Sequence, residues 1–295
     1  MNLRKIKFTV AIGMIGMLSL PALAEEEARI FPNIVYSPNP GRDLCLDVIV
    51  PAGVEKPPLV VYIHGGGWRG GTRKNQFAKS LADHGFAVAR IDYRFSNEAK
   101  FPAQIHDCKG AVRWLRAHSE KFGYDPSRIA AVGESAGAQL AVLLGTSGGV
   151  AEVEGDVGGN ADQSSSVQAV VDYFGATDFL LRSRTQPEEA ETPGAAPYEL
   201  FGGPVSANEE LARLASGALF ASEGDAPLLA IHGDKDDVVL IDQSRRIIEA
   251  YKEQELDAQL IVVPDSGHFG NHYFSGEIKD SVVGFLKKHL QPQLP

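Results

Sequence analysis

Apolar positions along this chain fall into two alternating rhythms. Residues 44–50 are mostly apolar and stop at Pro51, and residues 59–63 are short and fully apolar, as in a strand buried on both faces of a parallel sheet. Residues 75–84 read as a helix ended by Gly85, and 86–92 as the next strand. Between 102 and 121, Ile105, Cys108, Val112 and Leu115 recur at helical spacing. The alternation continues through strand 128–132, helix 136–144, strands 167–173 and 227–232, helix 242–254, strand 258–263 and helix 278–290. Strands alternating with helices predict right-handed βαβ crossovers. The fold class is α/β, a mostly parallel central sheet with helices on both faces.

Two stretches break the rhythm. Residues 145–166 are rich in Gly, Ser and acidic side chains and read as a mobile surface loop. Residues 178–222 hold Pro, Gly and Glu clusters with weakly helical pieces such as 207–214. An insertion there, after the carboxyl end of a strand, is expected to lie over the sheet edge as a lid or substrate wall, or else to be an idle excursion. No internal repeat is present, and residues 25–295 read as a single domain.

The first 24 residues stand apart. Arg4, Lys5 and Lys7 form a basic n-region, residues 8–20 are nearly all apolar, and Pro21 precedes Ala22-Leu23-Ala24, a small-residue cleavage signal. This is the three-part pattern of a secretory signal peptide. The apolar run is shorter than the 18–20 residues or so that a membrane span needs. Cleavage after Ala24 and an exported protein, periplasmic or secreted, are therefore expected, with no integral membrane segment in the remainder.

Charge and cysteine narrow the partners. The formal net charge is −10, and losing the three basic residues of the leader makes it −13. Nucleic acids and anionic membranes are recruited by clustered Lys and Arg, so neither is expected as a partner. Cys45 and Cys108 fit neither a disulfide scaffold nor a zinc site. Export permits a disulfide between them, but apolar neighbours suit two buried thiols equally well.

Three motifs carry the chemistry. Gly133-Glu134-Ser135-Ala136-Gly137 matches G-x-S-x-G, with a strand leading in and a helix leading out. That is the setting of a nucleophile elbow, in which a strained turn presents Ser135 at the top of the sheet and a helix N-terminus sits beside it. His64-Gly65-Gly66-Gly67-Trp68 follows the apolar strand 59–63. Bare glycine lets backbone N–H groups point into a cleft, and two of these with that of Ala136 would form an oxyanion hole. His64 reads as a brace for that loop, whereas Trp68 fits either a pocket floor or core packing. A serine hydroxyl needs a base, and His268, just past the last predicted strand, is preferred over His272. No metal motif accompanies the 268/272 pair. The orienting acid belongs between serine and histidine. There His232-Gly233-Asp234-Lys235-Asp236-Asp237 offers three aspartates that the pattern alone does not rank.

Together, the H-G-G-G-W loop, G-E-S-A-G, H-G-D-x-D-x-V and the Gly267-His268-Phe269 turn resemble the esterase/lipase branch of α/β-hydrolases, which includes hormone-sensitive-lipase-like enzymes. The chain is more similar still to the smaller bacterial carboxylesterases of the feruloyl/acetyl-xylan-esterase type. Gly41-Arg42-Asp43-Leu44, residues 91–95, 101–104, 111–115 and 124–129 carry the likeness further, so that it spans about residues 33–290. The resemblance places the acid on Asp236, the base on His268 and the oxyanion loop on Gly66 and Gly67. Fewer than 40 residues lie between Ala24 and His64, many of them in two predicted strands, so the N-terminal cap of the larger relatives is not expected here.

The resemblance implies a serine carboxylesterase working through an acyl-enzyme, without cofactor or metal. The expected substrates are short acyl esters or plant-polysaccharide and aryl esters. Two other readings share the motifs: a prolyl-oligopeptidase-type peptidase, which usually has a large gating domain, and a non-catalytic binding protein on the same fold. Oligomeric state is not written in the sequence.

Overall fold

The computed structural model describes residues 27–291. The expected signal peptide lies outside the described residues. Eight strands form one sheet: β1 Arg29–Ser37, β2 Leu44–Val50, β3 Pro58–Ile63, β4 Ala87–Ile91, β5 Asp125–Glu134, β6 Ala169–Tyr173, β7 Leu228–Gly233 and β8 Ala258–Val263. Their order is β1-β2-β4-β3-β5-β6-β7-β8. β2 pairs antiparallel with both β1 and β4, and every later pairing is parallel. The fold is that of an α/β-hydrolase.

Among the described residues, ten α-helices connect and flank the strands: α1 Gln76–Ser80, α2 Ala103–Ala117, α3 Ser119–Phe122, α4 Ala136–Thr146, α5 Phe179–Thr185, α6 Pro187–Glu191, α7 Ala196–Phe201, α8 Glu209–Ala215, α9 Asp242–Glu253 and α10 Gly276–His289. Strand residues alternate between two cores. Leu59, Val61 and Ile63 pack with α2, α4 and α9 on one face, while Val60 and Tyr62 pack with α1 and α10 on the other. Burial on both faces explains why β3 reads as an unbroken apolar run. Among the described residues, no helix is long and apolar enough to cross a membrane.

Three readings of the sequence change. β1 begins at Arg29 and adds an edge strand that the apolar pattern did not mark. The helix expected over 102–121 breaks at His118 (φ −108°, ψ 13°) into α2 and α3. The segment 145–166 is no loose loop, because Val153 is fully buried and the Glu154 carboxylate meets two buried cations of α2. These are Lys109 Nζ at 2.9 Å and the Arg113 guanidinium. Cys45 and Cys108 are both free, one on β2 and one on α2.

Candidate active site

β3, β5, β7 and β8 run parallel, so their carboxyl ends reach one edge of the sheet, where clefts form in such folds. Each of the sequence motifs follows one of these ends. β5 passes into α4 at Ser135, whose backbone is held at φ 51° and ψ −118°. A non-glycine residue pays for that geometry, and the surroundings hold it there: Ser135 N donates to Tyr173 O at 2.8 Å. Gly137 lets α4 approach β3, since a Cβ there would sit 2.1 Å from Ile63 O.

From the loop after β8, His268 joins this serine to an acid. Its Nε2 lies 2.9 Å from Ser135 Oγ and its Nδ1 lies 2.6 Å from Asp236 Oδ2. The short Nδ1 contact to a carboxylate fixes the proton there and leaves Nε2 to accept from the serine hydroxyl. Asp236 is 5% exposed, whereas Asp234 and Asp237 face solvent. Its Oδ1 accepts from Val238 N at 3.0 Å and Val239 N at 2.9 Å. Burial pushes the Asp236 carboxyl up, but donors from His232 and His268 outweigh it and hold the group well below the usual carboxylate range.

His232, at the end of β7, is a partner the sequence reading did not use. Its Nε2 lies 2.8 Å from Val239 O and 3.2 Å from Asp236 Oδ2, so it carries a proton toward both. Its Nδ1 accepts from the Ser244 hydroxyl at 2.7 Å. The only trace of this in the sequence is its place at the head of H-G-D.

Across the cleft, the glycine loop after β3 is set by backbone geometry. Gly66 has φ 114°, and a Cβ on it would sit 2.3 Å from Gly70 O. The N–H groups of Gly66, Gly67 and Ala136 donate to no protein acceptor among the described residues, which leaves them free for a ligand oxygen. His64 braces this loop. Its Nδ1 donates to Gly65 O at 2.7 Å, and the ring stacks on Tyr93 at 4.6 Å. Trp68 serves both of its expected roles: it is 2% exposed, donates to Gln139 Oε1 at 3.0 Å, and still forms part of the cleft wall. His272 is exposed and tilts against Tyr273, away from the serine–histidine contact.

The cleft encloses about 740 Å³. α5, α6 and the turn into α7, all within residues 178–222, line one side of the cleft through Arg182, Glu188, Glu189, Thr192 and Ala196. Phe179, Leu200 and Phe201 root it in the main core. The insertion also grips the acid loop, where Gln186 donates to Asp237 O at 3.2 Å and accepts from Leu240 N at 3.1 Å. Phe269, 75% exposed, stands edge-on to the His268 ring at 4.5 Å and forms part of the rim. No periodicity marks Arg182 as lining the cleft, and Phe269 shows in the sequence only as part of the Gly267-His268-Phe269 turn.

The chain is similar to known esterases in both sequence and structure. The BD-FAE family model matches residues 46–251. Esterase LipC of Mycobacterium tuberculosis is 30% identical over 215 residues, which is 72% of this chain and 52% of that one. The chain spans about half the length of the curated relatives it matches. Among solved structures, a truncated carbohydrate esterase from gut microbiota is 28% identical with a TM-score of 0.81, covering 88% of this chain and 96% of that one. A bifunctional GH43-CE protein of Bacteroides eggerthii is 32% identical with a TM-score of 0.80, covering 89% of this chain and 38% of that one. With a match over most of its length and an α/β-hydrolase sheet beneath the site, this chain belongs to the BD-FAE family.

Proposed function

We propose that this protein is a serine carboxylic-ester hydrolase. The observation that carries the reading is the unbroken chain from Ser135 Oγ through His268 to Asp236 Oδ2, opposite three unpaired backbone donors. Names of similar proteins, esterase LipC and the gut carbohydrate esterase, support the reaction class.

His268 Nε2 takes the serine proton as Oγ attacks the ester carbonyl. The carbonyl oxygen becomes anionic and is held by the N–H groups of Gly66, Gly67 and Ala136. Loss of one such donor typically costs about 2.7–4 kcal/mol of transition-state stabilisation. Asp236 keeps the imidazole in the reactive tautomer and stabilises its cationic form. Collapse of the intermediate expels the alcohol, which takes the proton from His268. Water, deprotonated by the same imidazole, then releases the acid and restores Ser135. The substrates proposed are short acyl esters or acyl and aryl esters of plant polysaccharides, in keeping with the carbohydrate esterase among the similar structures.

The reading is tested with p-nitrophenyl acetate and acetylated xylan. The wild-type protein should hydrolyse at least one of them, and Ser135→Ala should lose nearly all turnover while keeping its circular-dichroism spectrum. A Ser135→Ala protein with most of its activity would remove serine from the mechanism. Export is proposed on residues 1–24, and N-terminal sequencing of the mature protein should begin at Glu25.

A further inference from the structure

Arg182 is a cation without an anion. Its residue is 4% exposed, it lies in the cleft wall, and it makes no ion pair among the described residues. Nη2 donates to Val238 O at 2.9 Å, and Nε is buried with no partner at all. Burial drags the guanidinium down to about 10, and Glu189, Asp236 and Asp242 oppose this only through space. Asp236 is already engaged by His268, His232 and two backbone N–H groups.

Holding the acid loop does not require this charge. Gln186, four residues on, reaches Asp237 O at 3.2 Å and Val238 O at 3.4 Å as a neutral amide. Buried charges are ordinarily paired, so an unpaired guanidinium facing a cleft is a site awaiting its counterion. A planar guanidinium fits a carboxylate better than any other side chain does. Of the other charged residues lining the cleft, Arg69, Lys74, Glu188 and Glu189 are exposed and screened by water and salt, and Glu134, half-buried beside Ser135, is a carboxylate that adds no second cation.

We infer that Arg182 binds a carboxylate carried by the substrate, so that the cleft prefers anionic esters over neutral ones of the same size. This deepens the esterase reading and rests on it. The carboxylate belongs either to the acyl group, as in a half-ester of a dicarboxylic acid, or to the alcohol, as in an acylated hydroxy acid.

Two substrate pairs distinguish these sources. One compares mono-(4-nitrophenyl) succinate with 4-nitrophenyl butyrate, and the other compares 3-carboxyphenyl acetate with phenyl acetate. In at least one pair, the anionic-to-neutral ratio of kcat/KM should fall tenfold or more in Arg182→Met, chiefly through KM. Arg182→Lys, which keeps the charge, should retain part of the preference. A charge-assisted contact of ordinary strength accounts for that factor. A ratio unmoved in both pairs, including an equal loss on both members of each, overturns the inference. If the wild-type protein hydrolyses none of the four and neither p-nitrophenyl acetate nor acetylated xylan, the esterase reading fails; if it hydrolyses only the latter two, the carboxylate site is still open to a direct binding test. Calorimetry with succinate and 3-hydroxybenzoate then decides: binding lost in Arg182→Met upholds the carboxylate site, and no wild-type binding overturns it.

Discussion

Asp234, Asp236 and Asp237 stand within four residues of one another, yet only Asp236 turns inward to meet His268. Asp236→Asn should therefore lower kcat by about 10³–10⁴-fold, because the amide no longer fixes the imidazole tautomer. Asp234→Asn and Asp237→Asn should change it little, as p-nitrophenyl acetate kinetics on the three variants will show. Gly66→Ala confronts a φ of 114° and a Cβ contact of 2.3 Å with Gly70 O. Its turnover should drop by about 10²–10³-fold through displacement of an oxyanion donor, with far-UV circular dichroism preserved. At this scale the candidate nucleophile and base were legible in the sequence, since each sits in a short motif with a required neighbour. The acid was legible only through family likeness: pattern alone offers three aspartates, and burial separates them. Arg182 was not legible, because an arginine in an irregular helical stretch has no signature until the cleft forms around it.

Strands and helices near the site store costs of their own. Asp172, at the end of β6, accepts from Gly175 N at 2.7 Å with Oδ1, while its Oδ2 is buried without a partner. Burial pushes this carboxyl up to about 6, against the Gly175 bond and nearby His232. Its folded-state pKa is thus raised above the unfolded one, near 3.8. The unfolded chain sheds this proton first, so the group subtracts stability as pH climbs from about 4 to about 6, by about 3 kcal/mol in all. Asp172→Asn removes that slope. Its melting temperature relative to wild type should be higher at pH 7.5 than at pH 4, and a constant difference would contradict the assignment. The segment 145–166 poses the opposite case. Glu154→Gln would leave buried Lys109 and Arg113 without their shared counterion and should cost on the order of 2 kcal/mol in urea denaturation, discounted for partial solvent screening at Glu154. Nothing in the sequence marks this segment as anchored, because charge pairing across more than 40 positions leaves no periodic trace. β1 escaped for a related reason: most of it faces solvent at a sheet edge, so its apolar residues do not alternate cleanly.

Across the whole molecule, the alternation of strand and helix was enough to predict a mostly parallel sheet, but not its order. Exchange of β3 and β4, and the antiparallel pairing of β2, are decided by tertiary packing. The site was legible beyond its elements because parallel strands deliver their carboxyl ends to one edge. Motifs separated by 133 positions, as Ser135 and His268 are, therefore meet within 2.9 Å. The same architecture makes the central claim directly measurable. After incubation with a fluorophosphonate, intact-mass and peptide mass spectrometry should find one adduct per chain, on Ser135, absent from Ser135→Ala and strongly slowed in His268→Ala. An unlabelled wild-type protein, or an adduct at another residue, would contradict an activated serine in this cleft.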